Sequence, residues 1–191
     1  MRESLSYGGA IGGFRRESTD PAPLAILFVS DSQGRLDLPD STLAQLDIVV
    51  ASVHSFFDLA REAQTERVIR AMRNPYVSII GHPTGRLIGE REPYEIDMDQ
   101  VTSAARELNC CLEINAEPDR LDLNDVHAHM AKSKGVKVAV STDAHSVNAF
   151  RYIRFGIDQA RRGWLTADDV INTQPLVGLR KVLKRQALKA A

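Results

Sequence analysis

Three of the chain's five histidines fall at or shortly after the ends of short apolar runs. His54 stands in Ser52-Val53-His54-Ser55, His82 in Gly81-His82-Pro83-Thr84-Gly85-Arg86, and His145 in Ser141-Thr142-Asp143-Ala144-His145. A fourth run ends in Glu113-Ile114-Asn115. Imidazole and carboxylate together suit zinc, manganese or iron. Asp143 and His145 are two residues apart, so extended backbone would point both the same way and let one segment supply two ligands. Arg86 follows His82 in a glycine-containing loop. Its fork suits two phosphate oxygens or, equally, a surface ion pair. Asn115 suits orienting a ligand or substrate, or capping the loop after it. His127 and His129 fall two apart within a helical segment, so they face different sides and read as packing or surface residues.

The elements that must position these groups are legible as a rhythm. Apolar, β-branched runs at 24–29, 48–53, 77–80, 111–114 and 136–140 read as strands. Segments with helical spacing separate and follow them, at 40–46, 60–73, 97–108, 124–133, 148–162, 166–172 and 176–188. Asp40 or Ser41 is the expected cap of the first. Strands alternating with helices call for a parallel sheet with helical crossovers, and strands apolar throughout suit a sheet covered on one or both faces. In such folds the C-terminal strand ends share one face, where sites form. That places His54, His82, Asn115, Asp143 and His145 on a common rim. A complete eight-unit barrel needs about 250 residues, and this chain has 191. The fold class is α/β, with an open five-stranded sheet as the rival to an incomplete barrel.

Composition narrows the class. The net charge is −1, so no strong overall field draws the chain to nucleic acid or anionic lipid. Cys110 and Cys111 are adjacent inside an apolar run and read as reduced thiols of a cytoplasmic protein. No apolar stretch approaches the roughly 18 residues of a membrane span, and no secretory h-region opens the chain, so no membrane role is expected. Arg180, Lys181, Lys184, Arg185 and Lys189 read as the solvated face of an amphipathic helix. Phosphate-cradling glycine loops and a Gly-x-Ser-x-Gly elbow are both missing. Residues 1–23 are rich in Gly, Arg, Ser and Pro and read as an irregular leader.

Taken together, these motifs resemble the polymerase and histidinol phosphatase (PHP) domain. The strand-end motifs carry the likeness, together with the run Pro118-Asp119-Arg120-Leu121-Asp122-Leu123-Asn124-Asp125. Arg161-Arg162-Gly163-Trp164-Leu165 and Asn172-Thr173 are similar to the version at the C-terminus of bacterial family X DNA polymerases. The likeness runs from about Gly34 to Arg185, so residues 24–191 are read as the C-terminal part of such a domain. The resemblance implies a distorted (β/α)7 TIM-like barrel, here incomplete, with about five parallel strands and outer helices. It implies up to three divalent metals and phosphoester hydrolysis, including 3′–5′ exonuclease work on DNA ends. By motif match, His54 and His82 would ligate one metal, Asp143 a second and His145 a third, with Arg86 and Asn115 toward the substrate phosphate.

The chain also departs from the family. No His-x-His pair opens it, no histidine precedes His54, and residues 24–29 hold no carboxylate where a bridging Glu would stand. Where the family reads Glu-Ile-Asn-Ala-Asn-Pro, this chain reads Glu113-Ile114-Asn115-Ala116-Glu117-Pro118. A truncated or frame-disrupted gene product is the expectation these departures raise. Half a ligand set holds metal weakly, so low or absent hydrolysis is expected. A small-molecule phosphatase resembling histidinol phosphatase and a non-catalytic remnant are the rival readings. A barrel without its first strands leaves two unpaired edges and an uncovered core, so the leader covers the gap, the chain forms a homo-oligomer through the exposed edges, or the fold is marginal.

Overall fold

The computed structural model describes residues 24–29 and 31–183. The irregular leader expected at 1–23, and the basic residues Lys184, Arg185 and Lys189, lie outside the described residues. Five strands, β1 (Leu24–Val29), β2 (Ile48–Val53), β3 (Val77–Gly81), β4 (Cys111–Asn115) and β5 (Val138–Ser141), form one sheet in the order β1-β2-β3-β4-β5. All four pairings are parallel. The sheet is therefore the one expected from the alternation of apolar runs and helices. It is open, and the TIM-like barrel implied by the resemblance is not closed by it. Among the described residues no helix is long and apolar enough to cross a membrane.

Helices α1 (Asp40–Leu43), α2 (Arg61–Arg73), α3 (Met98–Glu107), α4 (Asp125–Ser133) and α5 (Ile153–Arg162) follow the strands. Their buried residues join Val49, Ala51, Val53, Leu112, Ile114, Val138 and Val140 in the larger core. The other face of the sheet is smaller. Val50, Ile79, Cys111 and Ala139 meet Ile171, Leu179 and Leu183 there, the latter two on or just beyond α6 (Leu176–Val182). A register shift between Val49↔Val77 and Val50↔Ile79 leaves Ser78 as an extra residue on β3. This bulge brings Ile79 and Gly81 onto the face of Val50 and Ser52. Gly156 lets α5 lie close on the sheet, since a Cβ there would stand 2.6 Å from Val140 Cγ1 and 2.8 Å from Ala116 Cβ.

Local chemistry sets the element ends. Asp97 and Asn124 cap α3 and α4 by accepting from the N–H of Gln100 and His127. The cap expected from Asp40 or Ser41 is not made; Pro39 opens α1 with no side-chain cap. β5 starts two residues later than expected because Val136 N–H still bonds Ala131 O at the end of α4. The helix expected at 166–172 is replaced by two short 3-10 turns, Ala167–Asp169 and Ile171–Thr173. Between them Val170 bridges Val138 in parallel. Asn172 Nδ2 donates to Val140 O at 2.8 Å, and Val140 N donates to Asn172 Oδ1 at 3.0 Å. One side-chain amide thus does for the β5 edge what the next strand's backbone would do. Asn172→Ala is expected to cost about 1–3 kcal/mol in urea unfolding. Asn172→Asp should cost at least as much, because a carboxylate would face the Val140 carbonyl.

Candidate active site

Above the apolar row of the smaller face lies a polar row. Ser52, Glu113, Asn115 and Ser141 are all buried at the C-terminal ends of β2, β4 and β5. Gly81 completes the row without a side chain, and a Cβ there would lie 3.4 Å from Glu113 Oε2. Glu113 binds the strand ends together. Its Oε2 accepts from His82 N at 2.6 Å, with Asn115 Nδ2 at 3.4 Å, and its Oε1 accepts from Ser141 Oγ. Burial pushes its carboxyl up to about 7 against the pull of those donors.

The four expected ligands stand in the loops that leave these strand ends, His54 beside His82 and, separately, His145 beside the backbone of Asp143. His54 and His82 meet edge to face with ring centroids 4.9 Å apart. His82 is buried, and its Nδ1 has no hydrogen-bond partner. His54 lies at the outer edge, its Nε2 3.0 Å from Ser52 Oγ. Both rings are held neutral, chiefly by burial and next by the positive charge of Arg120. Asp143 Oδ2 accepts from Asn115 Nδ2 at 3.3 Å and pairs with Arg120 Nε at 3.4 Å. His145 is exposed, and its Nδ1 lies 2.7 Å from Asp143 O, so that nitrogen carries the proton and donates.

The reason expected for the Asp143–His145 pairing does not hold. β5 ends at Ser141, and Asp143 has φ +48, so strand alternation does not aim the two side chains. Six non-glycine residues have positive φ among the described ones, and Phe56, His82, Leu121 and Asp143 lie in the loops that leave β2, β3, β4 and β5. Backbone held in that region persists only where surrounding contacts enforce it.

Those contacts are visible. Arg67 of α2, fully buried, donates to Ser55 O at 2.7 Å and holds the loop after His54. Arg91 donates to Gly85 O at 3.0 and 2.7 Å and lies 4.0 Å over the Phe57 ring. Asp122, buried, accepts from Thr84 N at 2.9 Å and Gly85 N at 3.0 Å. Gly85 has φ +64, and a Cβ there would be 2.3 Å from Tyr94 Cε1, so the position admits glycine alone. Arg86 donates through Nε to Arg120 O at 2.6 Å and through Nη2 to Leu121 O. It is engaged with the β4 loop, as a clamp on the backbone that carries Arg120. His127 and His129 lie on α4. His129 Nδ1 is 3.3 Å from Gly163 O, and burial lowers the pKa of His127.

Sequence reasoning gave no separate role to Arg120 and missed the fastening role of Glu113. Both were signalled: Glu113 shares the parity of Asn115 on β4, and Arg120 lies in the run that carried the family likeness. Two touching imidazoles offer a metal two donors, but Asp143 is already paired with a guanidinium. Among the described residues no three His, Cys, Asp or Glu side chains are grouped to hold one ion. The donor set as folded does not fit a complete shell for the metals that the resemblance implies.

Known proteins carry the same chain pattern. The chain is similar to the DNA polymerase/3′-5′ exonuclease PolX of Bacillus subtilis. Identity is 43% over 152 residues, covering 80% of this chain and 27% of that protein. A probable phosphatase of Thermoanaerobacter sp. is 36% identical over 173 residues, covering 84% of this chain and 66% of the relative. A probable phosphatase of Caldanaerobacter subterraneus is 38% identical over 126 residues, 61% of this chain and 47% of its own length. The chain thus spans from 27% to 66% of these relatives' lengths. No family model matches it.

Proposed function

We propose that this chain is a phosphoesterase module of the PHP class, of the 3′–5′ exonuclease or DNA-end-processing type attached to family X polymerases. The observation that carries the reading is the gathering of His54, His82, Asp143 and Arg120 at the C-terminal rim of a parallel sheet. Similarity to a polymerase-linked exonuclease supports the DNA substrate. Similarity to two probable phosphatases favours a second reading, a small phosphomonoester. In both, an incomplete TIM-like barrel is the scaffold. One zinc, manganese or iron ion would bind at His54 and His82, a second at Asp143 and a third at His145, which is too few donors for stable occupancy. Association of two copies through the β1 edge, paired on one side among the described residues, belongs to the same proposal.

The test is metal content and hydrolysis together. Elemental analysis of the purified chain is expected to find well under one metal per chain. Release of nucleotide from a 3′-labelled oligonucleotide in Mn²⁺ should be at least about 100-fold slower than by the Bacillus subtilis relative. A phosphomonoester assayed in parallel separates the two substrate readings. A fast Mn²⁺-stimulated rate that Asp143→Asn abolishes would overturn the expectation of weak activity.

A further inference from the structure

We propose that Arg120 is the phosphate anchor of this site and that it takes a phosphate oxyanion with no metal ion present. The inference rests on the phosphoesterase reading above. Four arginines stand on or under the rim, and three are committed to main-chain carbonyls: Arg67 to Ser55, Arg91 to Gly85, and Arg86 to Arg120 and Leu121. Arg120 instead turns its guanidinium to a side chain of the site, the expected ligand Asp143. Its side chain is only 15% exposed, Nε faces Asp143, and Nη1 is buried without a hydrogen-bond partner.

A buried guanidinium N–H without an acceptor is unfavourable, and it is satisfied best by an anion. The fork geometry matches two oxygens of one phosphate. The loop is built to present this group. Arg120 N bonds Glu117 O at 2.8 Å, Leu121 N bonds the same carbonyl at 2.9 Å, and Arg86 grips the two carbonyls that follow. Asp143 receives from Arg120 the positive charge that a metal ion would otherwise supply. The mismatch between the donor set and a metal shell is then a property of the site: a cation is already there, covalently attached.

Calorimetric titration of the full chain with inorganic phosphate and with thymidine 5′-monophosphate, each in EDTA and again in Mn²⁺ without EDTA, tests this. The wild type is expected to bind both. Arg120→Gln should weaken binding about tenfold or more, and Arg120→Lys, which keeps the charge and loses the fork, should fall between. Asp143→Asn should tighten binding severalfold, because it removes a carboxylate that competes for the fork and repels the anion. Asparagine is also at ease at φ +48. A merely structural ion pair would give no such gain. Should Arg120→Gln not fold, the Asp143→Asn arm decides: unchanged or weaker binding overturns the proposal. Binding that requires Mn²⁺ and ignores Arg120→Gln overturns the anchor and leaves the phosphoesterase reading standing. No binding with or without Mn²⁺ overturns both.

Discussion

Replacing Glu113 by alanine is expected to remove about 3–5 kcal/mol of folding stability. Glu113 touches the ends of β3, β4 and β5 at once, through His82 N, Asn115 Nδ2 and Ser141 Oγ. Alanine would leave the His82 amide and the Ser141 hydroxyl without their acceptor in a buried place. It would also open a void beside Gly81, whose missing side chain already leaves no filler. Glu113→Gln keeps the volume and one acceptor. Its amide nitrogen can donate to Ser141 Oγ in place of accepting from it, so its cost should be about 1 kcal/mol. Urea unfolding of the three proteins measures both numbers. A Glu113→Ala cost below about 1 kcal/mol would show that the strand ends hold without this fastener, and His82 would then be free to move.

How far the sequence could be read follows from where its signals lie. Strand and helix order were legible because apolar runs and helical spacing alternate cleanly from Leu24 onward. The smaller polar row was not, because Ser52, Glu113 and Ser141 each sit in a run otherwise apolar, and one buried polar residue per strand hardly disturbs the pattern. Their shared parity becomes meaningful only once the bulge at Ser78 sets the register of β3 against β2. The rim histidines were legible by position after the strands. The engagement of Arg86 was not, since its carbonyl partners lie 34 and 35 residues away. Composition cannot tell a guanidinium that clamps a loop from one that meets a ligand. The 3-10 turns around Val170 were hidden for a related reason: the segment is fixed by the Val170 bridge to Val138 and by Asn172 on Val140, contacts distant in sequence.

The rim has a consistent design. Side chains of α2 and of the loops after β3 and β4 hold main-chain carbonyls and amides in conformations that short peptides avoid. The groups able to meet a ligand are held by that backbone as well as by one another, as Asp143 is by Asn115 and Arg120. Loss of a clamp should therefore act on several of them together. Asp122 is the clearest case, since it ties the β4 loop to the loop after His82 while its own N–H and C=O pair with Asn115 at 3.2 and 2.6 Å.

Asp122→Ala is accordingly expected to cost about 2–4 kcal/mol, because the N–H groups of Thr84 and Gly85 would be buried with no acceptor. Asp122→Asn keeps an acceptor for both and should cost less. The two variants also separate by pH. Burial is the main cause that raises this carboxyl to about 6, against the pull of the Thr84 and Gly85 amides and of Arg86. A carboxyl raised in the fold holds its proton longer there than in the unfolded chain. Its contribution to stability is full below about pH 4 and is lost as pH rises through about 6, by up to roughly 3 kcal/mol. Carboxylates lowered in the fold, such as Asp97 beside the Gln100 amide, act in the opposite sense at lower pH. They are common to both proteins and cancel in the difference. Wild type minus Asp122→Asn stability, from urea unfolding at pH 4, 5, 6 and 7, should therefore fall steadily across the series. A difference that stays level or rises would mean that the two amides and Arg86 keep Asp122 ionised in the fold, and that its hold on the His82 loop is a charged one.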